Sequence, residues 1–485
     1  MNARLKPETG REAMRDALAA DDTLSLRQWL ARLAQSERLV VAPHGVRLQH
    51  ELAAIAKRLD GRKAVLFPAP DGHPVPIVSG FMARREWIAE ALGVDNAGLI
   101  AAYQRAVANP LPWREVAQAP CQEVVHREAI DVRRLLPIPT HSEHDSGPYI
   151  TAGVIIARNP ETGIQNASII RIQVHAPDRM ACLMLPRDLH AFYQASVRRG
   201  EPLPVAIVIG ADPLTLLASQ AILPLDTDEL EVAGALHGKP LPVVKCRTSE
   251  VRVPATAEIV IEGRILLEER ASEGPFGEFP RYYSERAERE VIAVDAITHR
   301  RDPIFHTIIP AEMEHLLLGA IPREATLLAH LRRTFANVLD VHLSVGGTCR
   351  YHLFVKIRKQ HEGQARNVMM CAFGAHYDVK HVVVVDEDVD VHDPRQVEWA
   401  VATRFQAHRD LLVVPGAQGS ILDPSTTVDE GPAGMSSKMG LDATKPLNVK
   451  DHVFTTVAIP GENEVDVQAL LARGVDAPTR ALLGL

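Results

Sequence analysis

The sequence predicts a multidomain α+β chain, with a central β-rich segment flanked by an α/β segment on each side. At 485 residues the length suggests about three domains. Apolar residues recur at helical spacing near both ends, at Leu26, Trp29, Leu30 and Leu33 and again over 323–330 and 395–404. Between about 116 and 305 the pattern changes to short β-rich runs separated by Gly, Pro and Asp, as in a β-barrel with inserted helices. The expected boundaries are 1–115, 116–305, a linker or hinge helix over 306–325, and 326–485, the last ending in an oligomerising tail.

Each element has a local reason. Ser25 and Gln28 fit a capping box that starts the first helix. A second helix over 51–59 stops at Asp60-Gly61, and 64–67 is a short strand ending at Pro68. A helix over 83–92 has Gly93 as its C′ residue, and Val78-Ser79-Gly80 starts that helix or presents backbone N–H groups. Central strands are expected over 149–157, 168–174, 205–209, 243–244 and 257–261. Farther on, 382–385 is an apolar strand running into Asp386-Glu387-Asp388-Val389-Asp390, a solvated strand end or a metal-binding run. Residues 464–485 form a helical tail whose Leu470, Leu471, Leu482 and Leu483 suggest docking on a neighbouring subunit.

Composition narrows the function. The chain is 46% hydrophobic and 24% charged, as in a soluble globular protein, with a net charge of −8. That balance and the 5% aromatic content argue against a nucleic-acid partner, and nothing favours an anionic membrane surface. The five cysteines include no CxxC pair, so reduced thiols in a cytoplasmic compartment are expected. The charge-rich residues 1–20 lack an apolar core for a signal peptide, and no run of about 18 apolar residues suggests a membrane span.

The chemistry concentrates in two segments. Ser272-Glu273-Gly274-Pro275-Phe276-Gly277-Glu278-Phe279-Pro280 sets two carboxylates five residues apart across turn residues. A loop can bring both to one spot, and paired carboxylates split their protonation so that one serves as an acid. Alone, the segment also fits an acidic surface turn. In Asn166-Ala167-Ser168-Ile169-Ile170-Arg171, Asn166 and Ser168 share one face of a strand. With His190 and Glu231, Asn166 would make a mixed N/O site for a divalent ion, although each residue singly fits a turn, a packed ring or a surface position.

These segments, together with Leu135-Leu136-Pro137-Ile138-Pro139, Gly147-Pro148-Tyr149-Ile150-Thr151-Ala152-Gly153 and Ser437-Lys438-Met439-Gly440-Leu441-Asp442-Ala443-Thr444, resemble the UbiD-like decarboxylases. The resemblance spans nearly the whole chain. It implies a central split β-barrel similar to flavin reductases, and prenylated FMN as cofactor with Mn2+ (or Mg2+) and K+. It also implies a reversible non-oxidative decarboxylase of an aromatic, heteroaromatic or α,β-unsaturated carboxylic acid, with CO2 as the other product. A flavin prenyltransferase would supply the cofactor, and the protein would be a homodimer or a multiple of dimers.

Residue by residue, the resemblance makes Arg171, Glu273 and Glu278 the catalytic set, with Glu278 as proton donor and Arg171 paired to Glu273. Asn166, His190 and Glu231 would hold the metal. Thr151, Ser168, Ile169, Ile170, Ser219 and Lys438 would contact the flavin, as would Asn166, Arg171, Leu189, His190 and Glu231. Lys438 fits a phosphate anchor or a helix-initiating lysine. Leu189 stands where a Gln often precedes the metal His, so that flavin-edge hydrogen bond is absent or supplied elsewhere. His315, Leu316 and Phe276 are the expected substrate-pocket residues, with His315 either reading a second polar group or packing as part of the linker helix.

Two other readings compete. A flavin-binding or flavin-carrying protein needs no acid network, which the intact Arg171, Glu273 and Glu278 argue against. A nicotinamide-dependent FMN oxidoreductase needs a dinucleotide fingerprint, and Ser344-Val345-Gly346-Gly347-Thr348 is too short a match.

Overall fold

A computed structural model describes residues 23–426 and 434–485, so the charge-rich stretch 1–20 lies outside the described residues. The fold is multidomain α+β, and four sheets organise it. β1 (Leu39–Val41), β2 (Ala64–Phe67) and β3 (Ile77–Ser79) open the N-terminal sheet, and β4 (Arg114–Glu115) belongs to a small sheet completed later. The central sheet then gathers β5 (Val124–His126), β6 (Tyr149–Ile150), β7 (Val154–Arg158), β8 (Gln165–Ile169), β9 (Ile172–Ala176), β10 (Arg179–Cys182) and β11 (Leu203–Ile209). β12 (Pro242–Lys245) and β13 (Arg252–Pro254) pair beside β4.

The long hairpin β14 (Ile259–Glu273) and β15 (Ala287–His299) completes the central sheet in the order β6-β9-β10-β15-β14-β11-β7-β8, with β5 on β15 and every pair antiparallel. β16 (Phe305–His306) returns to pair with β3, so the N-terminal sheet takes its last strand from beyond the central segment. The C-terminal sheet is β17 (Val338–Leu343), β18 (His352–Ile357), β19 (His381–Asp386), β20 (Leu411–Gln418) and β21 (Met435–Ala443), in the order β17-β18-β19-β21-β20.

Local chemistry explains the helices that frame this. The Ser25 Oγ accepts the Gln28 N–H at 3.3 Å while the Gln28 Oε1 accepts the Ser25 N–H at 2.8 Å, a complete capping box. Leu26, Trp29, Leu30 and Leu33 all face inward. The helices Glu51–Leu59 and Arg85–Ala91 also form, and Gly93 takes the positive φ of a C′ residue. Alternate residues of β11 and β14 feed two clusters. Ala206, Val208 and Val260 face one, and Val205, Ile207, Ile209, Ile259 and Ile261 face the other.

Several expectations change. The stretch 149–157 is two strands, because the chain breaks at Thr151-Ala152-Gly153, where a Cβ on Gly153 would lie 2.8 Å from Ile207 Cγ2. The stretch 168–174 is also two strands: Ile170-Arg171 links β8, at one end of the sheet order, to β9, next to the strand at the other end. Val78 and Ser79 end a strand rather than begin a helix, and the Gly80 N–H is given to Glu314 at 2.8 Å. The acidic run after β19 is ion-paired: Arg404 takes Asp386 at 3.0 Å and Asp388 at 2.9 Å, and Lys445 takes Asp388 at 2.9 Å. The tail is two short helices, Val467–Ala472 and Ala477–Leu483, with Leu470, Leu471, Leu482 and Leu483 exposed.

The expected linker is the start of one helix, Met313–Thr334, which runs on past residue 325. Glu314 accepts the N–H groups of Gly80 and Met82, and Asp60 accepts that of Met313. Two residues after Pro322, the buried Glu324 meets Arg85 at 2.6 Å on one side and the His342 ring and Leu343 N–H on the other, both at 2.9 Å. The helix is thus tied to N-terminal and C-terminal segments together.

Candidate active site

Glu273 ends β14, Arg171 sits in the β8–β9 link, and Glu278 lies in the loop between the hairpin strands. Gly274 turns that loop at φ +87°, and a Cβ there would lie 2.6 Å from the Glu285 carbonyl oxygen. Three outside side chains hold it. Asp145 Oδ1 accepts the Gly277 N–H at 2.9 Å, and the Gly274 N–H is shared between Tyr149 Oη and Gln173 Oε1, each at 3.2 Å. Burial pushes the Asp145 carboxyl up.

The turn brings both carboxylates to one guanidinium. Arg171 Nε donates to Glu273 Oε1 at 3.0 Å and Nη2 to Glu273 Oε2 at 2.9 Å, a bidentate fork, while Nη1 donates to Glu278 Oε1. Glu273 is fully buried, and the Arg171 and Glu278 side chains keep about a tenth of their surface. The guanidinium carbon lies 5.2 Å from the Phe276 ring centre, which adds a cation–π contact. The sequence expectation paired Arg171 with Glu273; the structure adds Glu278 to the same cation.

The expected metal residues lie on three elements, β8 and two helices that pack against it. Asn166 is buried on β8, and His190 stands in the first turn of the helix Asp188–Arg199, 3.3 Å from Gln194. Glu231 does not meet Asn166. The residue that does is Glu229, two positions earlier on the helix Glu229–His237, because two residues on a helix turn a side chain about 200° away. Glu229 Oε1 accepts Asn166 Nδ2 at 2.9 Å and Oε2 accepts the Ala167 N–H at 2.7 Å. Burial pushes the Glu229 carboxyl up to about 8, with Asp228 and Asp188 adding to it, and pushes Asp228 to about 6. A buried group of acids short of positive charge is the environment a cation relieves. Among the described residues no group of three or more His, Cys, Asp or Glu is arranged to hold a metal.

The expected flavin contacts divide. Ser168, Ile169 and Ile170 are half-buried at the end of an otherwise buried strand, which leaves a surface for a ligand. The Thr151 hydroxyl shares a hydrogen bond with Thr307 at 3.0 Å, and Thr307 meets His141 Nε2 at 2.8 Å. Leu189 packs into the core, and the Ser219 hydroxyl is given to the Leu216 carbonyl at 2.7 Å. Lys438 neither starts a helix nor points out: it lies within β21, and its ammonium donates to the carbonyls of Tyr377 at 2.8 Å and Val379 at 2.7 Å.

The pocket residues reveal a cluster that the sequence reading reached only through His315. Phe276 is buried against Tyr149, and Leu316 lies in the larger core. His315 is held neutral down to about pH 3 by burial and by Arg350 and Arg323. Burial also lowers both arginines, and each is lowered further by the other or by Arg187. Asp378 is the carboxylate facing this group, 4.0 Å from Arg323 Nε and 3.8 Å from His376 Nδ1. Arg323 Nε is buried with no hydrogen-bond partner. Gly319 makes room, since a Cβ there would collide with the Arg350 guanidinium. Arg350 in turn lies 5.1 Å from the ring centre of Phe279, one residue after Glu278. These three arginines come from three separate segments, so no sequence motif announced them. Two open grooves elsewhere, about 450 Å3 beside Leu111 and Leu236 and about 340 Å3 beside Phe454, contain none of these groups.

Comparison with known proteins gives the family of the chain. The 3-octaprenyl-4-hydroxybenzoate carboxy-lyase family matches through its N-terminal domain over 30–107, its Rift-related domain over 114–313 and its C-terminal domain over 316–443. The anhydromevalonate phosphate decarboxylase of Methanothermobacter thermautotrophicus is 40% identical over 422 residues, covering 87% of this chain and 97% of that protein. The UbiD-class enzyme HmfF from Pelotomaculum thermopropionicum, solved with FMN, superposes with a TM-score of 0.89 at 49% identity over 92% of this chain and all of that one. An evolved dimeric form of HmfF, solved with prenylated FMN, gives 0.85 at 47% identity over 92% and 99%. The chain therefore belongs to the 3-octaprenyl-4-hydroxybenzoate carboxy-lyase (UbiD) family and is a decarboxylase of that class.

Proposed function

We propose that the chain is a reversible, non-oxidative decarboxylase of an aromatic, heteroaromatic or α,β-unsaturated carboxylic acid that carries a second anionic group. The observation that carries the reaction type is one buried guanidinium bonded to both Glu273 and Glu278. Loss of CO2 from an sp2 carbon leaves charge that no side chain absorbs, and prenylated FMN supplies that electron sink when bound. Asn166, His190 and Glu229 would hold Mn2+ (or Mg2+) near it, with K+ close by. Glu229 replaces Glu231 in this reading because it is Glu229 that meets Asn166. The central sheet is read as a split barrel, supported by the two-residue link from β8, at one end of the sheet order, to β9, next to the strand at the other end.

The chain's own residues would do the rest. Arg171 orients the reacting carboxylate and keeps Glu273 in place. Glu278 delivers the proton to carbon, and its Oε2, to which no described residue donates, is the atom that would carry it. Arg323, Arg350 and His315 would receive the second anionic group. Their shortage of anionic partners supports this, and the relative whose name includes a phosphate is compatible with it. A flavin carrier of the same fold would use none of these groups.

The test is CO2 release from a panel of mono- and dianionic unsaturated acids, using protein produced with a flavin prenyltransferase. Turnover abolished in Glu278→Gln with flavin retained is the expected result. Full turnover in that variant would remove Glu278 from the reaction.

A further inference from the structure

Tyr149 has no exposed surface, yet its hydroxyl sits among four polar groups. It lies 3.1 Å from Glu273 Oε1, 3.0 Å from Gln173 Oε1, 3.2 Å from the Gly274 nitrogen and 3.1 Å from Ser146 Oγ. A phenol has one proton to give and two lone pairs to receive with. The Gly274 N–H and the Ser146 hydroxyl fill the lone pairs. The proton then goes to Glu273 or Gln173, and a carboxylate paired with a guanidinium is the stronger acceptor.

The other end of Tyr149 closes a ring of contacts. Its aromatic face lies 4.4 Å from the Phe276 ring, and Phe276 lies beneath the Arg171 guanidinium at 5.2 Å. Tyr149 therefore touches the Arg171–Glu273 pair from both sides, through the carboxylate and through the ring under the cation.

We propose that Tyr149 is a positioning residue for the decarboxylation: its O–H fixes Glu273, and the fixed carboxylate sets the Arg171 fork so that Nη1 meets Glu278. This rests on the reading of Arg171, Glu273 and Glu278 as the reacting network. Among the described residues, Glu273 Oε1 receives two donors, Arg171 Nε and Tyr149 Oη, whereas Oε2 receives only Arg171 Nη2. Without the phenol, the donors left on the carboxylate among the described residues are those of Arg171, so carboxylate and fork can turn together about the last Glu273 torsion. A shift of about 1 Å at a reacting group costs roughly 100-fold in rate. Gln173 has a supporting part: its Oε1 holds the same Gly274 N–H, and its Nε2 donates to the Ser146 carbonyl at 3.2 Å.

The experiment is Tyr149→Phe, which keeps the ring against Phe276 and removes only the hydroxyl. It is assayed beside wild type and Glu278→Gln in protein produced with a flavin prenyltransferase. Flavin-free protein is compared by amide hydrogen exchange of the peptide spanning 272–279. The expected result is a kcat lower by about 10- to 100-fold, KM within about threefold, wild-type flavin content and Tm, and several-fold faster exchange at 272–279. Wild-type kcat together with wild-type exchange would overturn the proposal. So would a kcat loss that only follows lost flavin or a lower Tm, because Tyr149 would then be structural. Turnover retained by Glu278→Gln would instead overturn the underlying network, whatever Tyr149→Phe does.

Discussion

Arg171 uses three nitrogens on two carboxylates, and only a planar fork can do so. The same logic of scarce partners applies at Arg323, where a buried guanidinium has one distant carboxylate, Asp378. A charge left uncompensated in the interior gains most from an arriving anion, and breaking such a pair costs several kcal/mol. Arg323→Leu should raise KM for a dianionic acid by about 100-fold or more and leave a monoanionic analogue nearly unchanged, which steady-state kinetics on the two substrates measures. His141 makes a prediction about pH. Burial holds its ring neutral to about pH 3, whereas the unfolded chain protonates near 6.5. Falling pH below 6.5 thus favours the unfolded state by about 1.4 kcal/mol per pH unit for this residue alone. Buried Glu229, held up at about 8, acts with the opposite sign and buried His315 with the same sign, so the total slope is a sum over several groups. Denaturant titrations of wild type and His141→Gln from pH 7 to 5 isolate the histidine: their stability gap should narrow as pH falls.

At the scale of elements, the sequence was legible wherever the determining contacts are local. The Ser25 box, the helix 51–59 and the Gly93 terminus depend on neighbours within a few residues, and each formed as expected. The break at Ile170-Arg171 was not legible, since apolar runs on both sides read as one strand and only the sheet order shows that the chain crosses from one end to the strand next to the other. Glu229 was missed for a related reason: its partner Asn166 is 63 residues away, and helix phase decides between Glu229 and Glu231. Arg171, Glu273 and Glu278 were legible through motif resemblance, but their shared guanidinium needed the fold. The helix Met313–Thr334 carries a further test at Gly319. Ala is favoured over Gly inside a helix by about 1 kcal/mol, so an open position would gain stability from that change. Here a Cβ would collide with the guanidinium of Arg350, which is buried and would have to be displaced. Gly319→Ala should lower Tm and raise KM for the dianionic acid together, as thermal melts and kinetics on one preparation would show.

Across the whole molecule, the C-terminal tail is the segment that its own chain does not cover. Val457, Ile459, Leu470, Leu471, Leu482 and Leu485 all keep more than half of their surface. Its two helices have six and seven residues, each started by an aspartate cap, at Asp466 and Asp476. Helices so short are not stable alone in water, whatever their caps, because nucleation outweighs a few hydrogen bonds. They need a surface to pack on, and we propose that a second copy of the chain provides it. Exposed apolar side chains at this density would otherwise promote nonspecific association. No helix among the described residues is long and apolar enough to cross a membrane, so the tail does not act as a helical span. Removal of residues 456–485 should leave the N-terminal, central and C-terminal sheets folded, because no described side chain of that segment is buried. Light scattering should then show the apparent mass falling to that of a single chain, with the far-ultraviolet spectrum unchanged apart from the lost tail helices. An unchanged oligomer after this deletion would place the subunit contact elsewhere and leave the tail without a packing role.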